Sequence, residues 1–162
     1  MSATNTLRLD AEREARIDDL QKRYPRRDAT LLHVLWEIQW QHGWISQEWM
    51  QYAAERCGVP ASKVLGVVSF YTMYRQHPVG KYHVEVCRNI TCHMLGARAL
   101  IDQVKAKLGV GEHEVSACGR WSFEEVECMG ACSWAPMMAV NGAYHENLTP
   151  AKVDQVLDGL RS

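Results

Sequence analysis

The sequence predicts an α+β protein, in which a small helical bundle over residues 1–77 precedes an α+β domain over residues 78–162. Two observations lead to this prediction. Apolar residues recur at helical spacing through the first half of the chain, and after His77-Pro78-Val79-Gly80 the pattern changes to the alternation of a strand. The chain has 162 residues, of which 47% are apolar. That size and composition allow one compact domain, or a small domain with a helical extension.

Residues with capping side chains predict the helices of the first half. A helix that begins after Asp10 ends before Pro25, a second begins at Asp28 and ends at Gly43, and a third begins after Ser46. Gly58 and Pro60 end the third helix, and short helices are expected from there to Tyr71. The first 77 residues are therefore predicted to form a bundle of three to five short helices.

The second half predicts a small sheet with helices that cover it. Alternation marks a first strand, Tyr82 to Cys87, and a helix is expected from Met94 to Leu108. Short strands follow at 123–128 and 137–140, the second before an Asn141-Gly142 turn, and Thr149-Pro150 begins a last helix. The order β-α-β-β-α is the layout of a thioredoxin-like domain, here without a Cys-x-x-Cys motif.

Four of the six cysteines form two short pairs, Cys87-x4-Cys92 and Cys128-x3-Cys132. The first pair is expected at the end of a strand and in the loop before a helix, and the second at the end of another strand and in its loop. The two loops can therefore lie at one edge of the sheet. Two thiolates from each loop are enough to hold a [2Fe–2S] cluster, with two sulfur ligands on each iron.

Rival chemistries fit these cysteines less well. Structural zinc prefers Cys-x2-Cys knuckles, although both spacings lie within its range. A Rieske centre needs two His ligands, and only His93 is near. A dithiol oxidoreductase would need a closer pair, and buried structural cysteines do not usually occur as two pairs in loops. Cys57 is expected to be an ordinary semi-buried thiol, and Cys118 a thiol without a function.

Composition excludes several classes of function. The formal net charge of −1 gives no strong field for nucleic acid, and no apolar run approaches the length of a membrane span. The first 16 residues are polar and lack the apolar core of a signal peptide. The chain is therefore expected in the cytoplasm, where six cysteines favour metal binding or redox chemistry over disulfides.

The residues around both pairs resemble a known family. Residues 87–98, CRNITCHMLGAR, and residues 124–138, EEVECMGACSWAPMM, are similar to the small [2Fe–2S] subunit of the NADH-oxidising module of respiratory complex I, the NuoE family. The helical stretch that ends in GVVSFYTMY is also similar, as is the C-terminal AVNGAYHENLTPAKVDQVLDGL. The resemblance runs from about Leu9 to the C-terminus.

The resemblance implies a thioredoxin-like domain after a helical bundle, with one [2Fe–2S] cluster on Cys87, Cys92, Cys128 and Cys132. It implies a partner subunit that carries FMN, the NADH site and a [4Fe–4S] cluster, and further subunits of the peripheral arm of complex I. The chain would lie on the cytoplasmic side of a membrane-bound complex without entering the membrane. Related subunits occur in soluble NAD-reducing hydrogenases and NAD-dependent formate dehydrogenases, which are the alternative parents.

The chain itself is expected to carry a redox cluster and no substrate site. NADH gives up a hydride, which is two electrons, whereas a [2Fe–2S] cluster accepts one, so a flavin must lie between them. No Gly-x-Gly-x-x-Gly fingerprint is present, which puts the flavin and nucleotide sites on the partner. A ferredoxin that acts alone and a zinc-stabilised binding module are the competing classes, and the helical bundle argues against the first.

Side chains near the second pair are expected to differ in role. Met129 and Trp134 are expected to shield the cluster from water, and Met137 to belong to the core. Arg88 is a candidate to offset the cluster's negative charge. In the helical bundle, Trp36, Trp40 and Trp44 recur every four residues. This stripe is typical of a helical core, but at least one tryptophan is expected to contact the flavin subunit.

Overall fold

The computed structural model describes residues 7–160, so part of the polar segment at the N-terminus, which was expected not to be a signal peptide, lies outside the described residues. The chain divides into two compact units between Pro78 and Val79. The division into a helical bundle over residues 1–77 and a [2Fe–2S] domain over residues 78–162 stays a prediction. No helix within residues 7–160 is long and apolar enough to cross a membrane.

The first unit is helical. Its helices are α1 (Ala11–Lys22), α2 (Leu31–His42), α3 (Gln47–Cys57) and α4 (Ala61–Phe70). The side chains of Asp10 and Ser46 accept hydrogen bonds from backbone N–H groups in the first turns of α1 and α3, as predicted. Gly43 has a positive φ of 82° at the end of α2, where a left-handed residue lets the chain leave the helix.

The predicted start of the second helix was wrong. A 3₁₀ turn covers Arg27–Thr30, and α2 begins only at Leu31. The Asp28 carboxylate does not cap a helix, because it accepts hydrogen bonds from the Arg26 guanidinium, with an Nε–Oδ1 distance of 3.0 Å. The Asp28 carboxylate, which the sequence pattern predicts as a helix cap, is thus paired with Arg26 instead.

The second unit contains a mixed sheet of four strands. They are β1 (Tyr82–Cys87), β2 (Trp121–Val126), β3 (Met138–Val140) and β4 (Ala143–His145). The strand order is β2-β1-β3-β4, where β1 and β2 are parallel and the other two pairs are antiparallel. The helices of this unit are α5 (Ile90–Met94), α6 (Ala97–Leu108) and α7 (Pro150–Gly159). The mixed α+β architecture confirms the predicted fold class.

Side chains from β1, β2 and β3 and from helices α6 and α7 form one hydrophobic core. Val84 and Val86 of β1 enter this core and alternate with His83 and Glu85, as the sequence pattern predicts. Helix α6 follows β1 and precedes β2 in the sequence. This connection lets the two strands, which are distant in the chain, pair in parallel and lie side by side. This pairing determines where the cysteine loops meet.

Several element boundaries of the second unit differ from the predictions. The helix expected from Met94 to Leu108 is interrupted at Gly96, whose φ of 90° breaks it into α5 and α6. The strand expected at residues 123–128 begins at Trp121 and ends at Val126, so Cys128 lies two residues beyond it. Both changes affect the cysteine-bearing segments.

Candidate metal centre

The sheet topology brings the two ligand-bearing loops to one edge. Parallel strands end at the same edge of a sheet, and Cys87, the last residue of β1, pairs with Val126, the last residue of β2. The N–H of Arg88 continues the pairing by donating to the Val126 carbonyl at 2.9 Å. Strand β3 runs antiparallel to β1 and begins at this edge, where the N–H of Cys87 donates to the Met137 carbonyl at 3.2 Å. The segments that carry both cysteine pairs therefore lie at the sheet edge where β1 ends.

The first pair is buried. Cys87 and Cys92 are each 2% exposed. Cys92 lies within the short helix α5 and not in the predicted loop before a helix. The side chain of Asn89 accepts a hydrogen bond from the N–H of Ile90 at 2.8 Å, which starts α5 early. The short helix turns Cys92 inward beside Cys87.

The second pair is exposed and already close together. The sulfur atoms of Cys128 and Cys132 are 3.4 Å apart. Two sulfurs bound tetrahedrally to one metal at about 2.3 Å lie about 3.8 Å apart. The backbone between them turns at Gly130, whose φ is 85° and whose N–H points at the Cys128 sulfur at 3.4 Å. The pair therefore fits two ligands of a single metal ion.

The surroundings give the thiols different acidities. Burial raises the pKa of Cys92 to about 11, and the neighbouring Cys87 thiol adds to this rise. The hydrogen bond from the Gly130 N–H lowers the pKa of Cys128. The pKa of Cys132 is raised by its hydrogen bond with Cys128 and by the charge on Cys128, while a hydrogen bond with Thr91 opposes that rise. Within the second pair, Cys128 therefore loses its proton before Cys132.

The two pairs lie within reach of one another. Cys87 and Cys92 pack in a small apolar cluster with Ala131, a residue of the loop between Cys128 and Cys132. Thr91, which precedes Cys92, hydrogen-bonds to Cys132. No group of three or more potential ligands within residues 7–160 is gathered closely enough to hold one metal ion. A [2Fe–2S] cluster needs two thiolates on each of two irons, and two adjacent cysteine pairs supply that number.

Comparison with protein families decides the class of the chain. The family of thioredoxin-like [2Fe–2S] ferredoxins matches residues 17–161. The chain belongs to this family. Membership confirms the thioredoxin-like fold predicted for the second half, and it confirms the predicted class of cofactor, a [2Fe–2S] cluster.

Known relatives confirm the resemblance to the small complex I subunit. The E subunit of the NADH-quinone oxidoreductase of Mycobacterium tuberculosis is 37% identical over 140 residues, which are 86% of this chain and 56% of the relative. The corresponding protein of Thermus thermophilus, numbered 2 among the subunits of its NADH-quinone oxidoreductase, is 37% identical over 149 residues, which are 90% of this chain and 82% of the relative. The chain therefore spans little more than half the length of the mycobacterial relative.

A solved structure shares the fold of most of the chain. The NAD+-reducing [NiFe]-hydrogenase in its H2-reduced state aligns with a TM-score of 0.70 and 20% identity, over 82% of this chain and 22% of the hydrogenase chain. At this identity the likeness is one of fold. Both the helical unit and the thioredoxin-like unit are needed to reach that coverage, because each accounts for about half of the chain.

The remaining two cysteines belong to neither pair. Cys57 is 2% exposed in the core of the helical unit, so it is more buried than expected. Cys118 is exposed in the segment before β2, where its sulfur is 3.4 Å from the Ser116 hydroxyl. The hydrogen bond with Ser116 lowers the pKa of Cys118.

Met137 is a core residue as predicted, and the shielding role expected of Met129 and Trp134 stays a prediction. Met137 is 1% exposed and packs with Cys87 and Cys92, so it is core next to the thiols. Met129 is partly buried against the same cluster, which suits a shielding role. Trp134 is 54% exposed and therefore covers the site poorly in this chain alone.

Two residues that hold the second loop in place carry no signal in the sequence. The Tyr144 hydroxyl of β4 donates to the Met129 carbonyl at 2.8 Å, within the turn between Cys128 and Cys132. Glu127 accepts hydrogen bonds from Asn89 and Arg88, which lower the pKa of its carboxyl group. The Asn141-Gly142 turn predicts a partner strand for β3, but these contacts join residues far apart in sequence, so no local pattern reveals them.

Proposed function

We propose that this chain is the electron-transfer subunit of an NADH:quinone oxidoreductase and that Cys87, Cys92, Cys128 and Cys132 hold its [2Fe–2S] cluster. The observation that carries the proposal is the meeting of two cysteine pairs at one edge of a thioredoxin-like sheet. The 37% identity to subunits of NADH-quinone oxidoreductases supports the parent complex.

The four cysteines would bind opposite sides of the cluster. The buried pair, Cys87 and Cys92, would bind its inner side, and the exposed pair, Cys128 and Cys132, its outer side. The Gly130 N–H would donate a hydrogen bond to the Cys128 thiolate and so stabilise its charge. The apolar contacts of Met137 and Ala97 exclude water from the inner side. When bound, a [2Fe–2S] cluster supplies a site for one electron.

The flavin and the NADH site would lie on a partner subunit that also holds a [4Fe–4S] cluster. A one-electron centre cannot take a hydride directly, and the chain has no dinucleotide fingerprint of its own. Exposed apolar side chains on the ligand-bearing segments are suited to partner contact; they are Ile90, Met94, Leu95 and Trp134. In the helical unit, Trp40 is 61% exposed and is the tryptophan best placed for such contact.

The alternative parent is an NAD-reducing hydrogenase or an NAD-dependent formate dehydrogenase. The solved hydrogenase supports a common fold at 20% identity. The subunits of NADH-quinone oxidoreductases are nearly twice as similar in sequence, at 37%. We therefore favour the quinone-reducing complex. Its further subunits, and a location on the cytoplasmic side of a membrane, stay predictions.

Anaerobic reconstitution tests the ligand set. The chain is loaded with iron and sulfide, assayed for both, and examined by EPR before and after dithionite. About two irons and two sulfides per chain, with a signal only after reduction, are expected. Serine at Cys87, Cys92, Cys128 or Cys132 is expected to abolish or alter the signal, whereas Cys118→Ser is the matched control. Stoichiometric zinc without iron would contradict the proposal.

A second experiment tests the parent complex. Pull-down of the tagged chain from its native host is expected to recover a flavin-containing subunit, and NADH is expected to reduce the [2Fe–2S] cluster in that pair. Hydrogenase or formate dehydrogenase subunits in the recovered complex would instead establish the alternative. A loaded cluster that NADH cannot reduce in the presence of the flavin subunit would contradict the electron-transfer role.

A further inference from the structure

An ion pair joins the two ligand-bearing segments next to the cysteines. Arg88 directly follows Cys87, and Glu127 directly precedes Cys128. The Nε and Nη2 atoms of Arg88 donate to Oε1 of Glu127 at 3.2 and 2.9 Å. The other carboxylate oxygen, Oε2, accepts from the side-chain amide of Asn89 at 2.8 Å. Both oxygens of one carboxylate thus bind the segment that carries the first cysteine pair.

Backbone contacts make this ion pair part of the site's framework. The N–H of Arg88 donates to the Val126 carbonyl at 2.9 Å, beside Glu127. Asn89 uses its side-chain oxygen to start helix α5, which carries Cys92, and its amide nitrogen to bind Glu127. Glu127 is therefore linked to the segments of Cys87, Cys92 and Cys128, which are three of the four proposed ligands.

The ion pair is too exposed to contribute much to the stability of the fold. The side chains of Arg88 and Glu127 are 55% and 62% exposed, and exposed pairs contribute little to the stability of a fold. Arg88 and Glu127 are nevertheless the direct sequence neighbours of Cys87 and Cys128. Reduction of a [2Fe–2S] cluster adds one negative charge, so a nearby cation favours it and a nearby anion opposes it.

We propose that Arg88 and Glu127 are positioning residues that join the two ligand loops through a charge-balanced pair, so that their opposite effects on the cluster's reduction potential nearly cancel. This inference rests on the proposed function, namely a [2Fe–2S] cluster on Cys87, Cys92, Cys128 and Cys132. It adds a role for two residues that are not ligands. The pair fixes the loops by geometry without adding a net charge beside the redox centre.

Redox titration of the reconstituted full chain tests the proposal. Arg88→Gln is expected to lower the reduction potential, because an unbalanced carboxylate remains. Glu127→Gln is expected to raise it, because an unbalanced guanidinium remains. The double variant is expected to return close to the wild-type value. Each shift is expected to shrink as salt rises, because screening acts on exposed charges.

A second ion pair of the same unit provides the control. The Lys107 ammonium lies 2.6 Å from the Asp154 carboxylate, between α6 and α7. Lys107→Gln and Asp154→Asn change the protein's charge by the same amounts, and the potential is expected to stay at the wild-type value in both. Equal shifts in these variants would mean that net charge acts from anywhere on the unit, and would overturn the inference.

Other outcomes separate the inference from the proposed function. Shifts of the same sign in Arg88→Gln and Glu127→Gln, or no shift in either, would overturn the charge-balance inference and leave the ligand assignment intact. If the glutamine variants load poorly, Arg88→Lys and Glu127→Asp keep the charges, and their recovery of loading and of the wild-type EPR signal supports the inference. A wild-type chain that binds no iron would overturn the proposed function and the inference together.

Discussion

Four identical side chains occupy unequal environments at this site. Cys87 and Cys92 are buried, whereas Cys128 and Cys132 face solvent. Burial disfavours the thiolate of Cys92, and the Gly130 N–H favours that of Cys128. The chain thus offers an approaching metal a thiol of increased acidity on the outside, and on the inside the Cys92 thiol, which is deprotonated only as the metal binds.

We predict that cluster loading releases protons and strengthens as pH rises. Because burial raises the pKa of Cys92 to about 11, this thiol is protonated at neutral pH in the metal-free protein and must lose its proton when iron binds. The reconstitution yield at limiting iron is therefore expected to increase between about pH 7 and about pH 9. Cadmium, titrated over the same range, provides a measurement without redox chemistry. A yield that does not change with pH would contradict this prediction.

We predict that Tyr144→Phe makes the cluster more labile. The substitution removes the hydrogen bond to the Met129 carbonyl, which holds the turn between Cys128 and Cys132, and keeps the aromatic ring. A single hydrogen bond is worth about 1 kcal/mol, so iron release to a chelator is expected to be about twofold to fivefold faster. Tyr24→Phe, in the helical unit, is the control and is expected to leave the release rate unchanged. An unchanged rate in Tyr144→Phe would show that the turn is held by other contacts.

At the scale of elements, one glycine permits the close approach of the segment before β1 to β2. A Cβ atom at Gly80 would lie 2.5 Å from the Trp121 carbonyl carbon and 2.8 Å from the Trp121 nitrogen. The N–H of Gly80 also donates to the Ser122 hydroxyl at 2.9 Å. Because these are backbone atoms of a sheet strand, they cannot yield as a flexible side chain would.

We predict that Gly80→Ala destabilises the second unit by about 1–3 kcal/mol, which is the usual cost of overpacking. Gly159→Ala is the matched control, because a Cβ atom at this last position of α7 would meet nothing within 4 Å. It is expected to be neutral or stabilising by up to about 1 kcal/mol. Urea unfolding followed by circular dichroism measures both. Equal stability of the two variants would contradict the close approach at Gly80.

Elements whose signals are local could be predicted from the sequence. Strand β1 follows from the alternation of Tyr82, Val84 and Val86, and α7 from Thr149-Pro150. The break at Gly96 was missed because helical spacing continues across it, and only the φ of 90° reveals the interruption. The early end of β2 depends on its pairing with β1, which is a contact between distant segments.

The proposed ligands of the candidate site follow from the sequence, but its framework does not. Cysteine spacing picks out all four proposed ligands, because two thiols from one short loop can bind one iron. Glu127 and Tyr144 carry no such signal. Each acts through a partner far away in sequence, Arg88 or Met129, and this partnership exists only after the strands have paired.

At the scale of the whole molecule, two separate hydrophobic cores support the two units. The core of the helical unit draws its buried residues from Leu9 to Tyr74. The main core of the second unit draws its residues from Val84 to Leu157. The small cluster around Cys87 and Cys92 likewise contains residues of the second unit alone. Each unit thus has an apolar interior of its own.

We predict that residues 79–162 fold without the helical unit and still bind the cluster, because the sheet, its core and all four proposed ligands belong to this segment. The isolated segment is expected to unfold cooperatively in urea and to bind as much iron and sulfide per chain as the whole protein. Recovery of the flavin subunit by pull-down is expected to weaken, because Trp40 is lost with the helical unit. A segment that stays unfolded would make the two units one folding domain.

The parallel pairing of β1 with β2 also determines when a nascent chain can acquire its cofactor. The first two thiols leave the ribosome before Cys128 and Cys132 do, so for part of synthesis the emerged chain carries only half of the proposed site. Parallel pairing of distant strands is a slow step of folding. Cluster delivery must therefore wait until both strands have left the ribosome and paired, and until then Cys87 and Cys92 are open to oxidation and to the wrong metals.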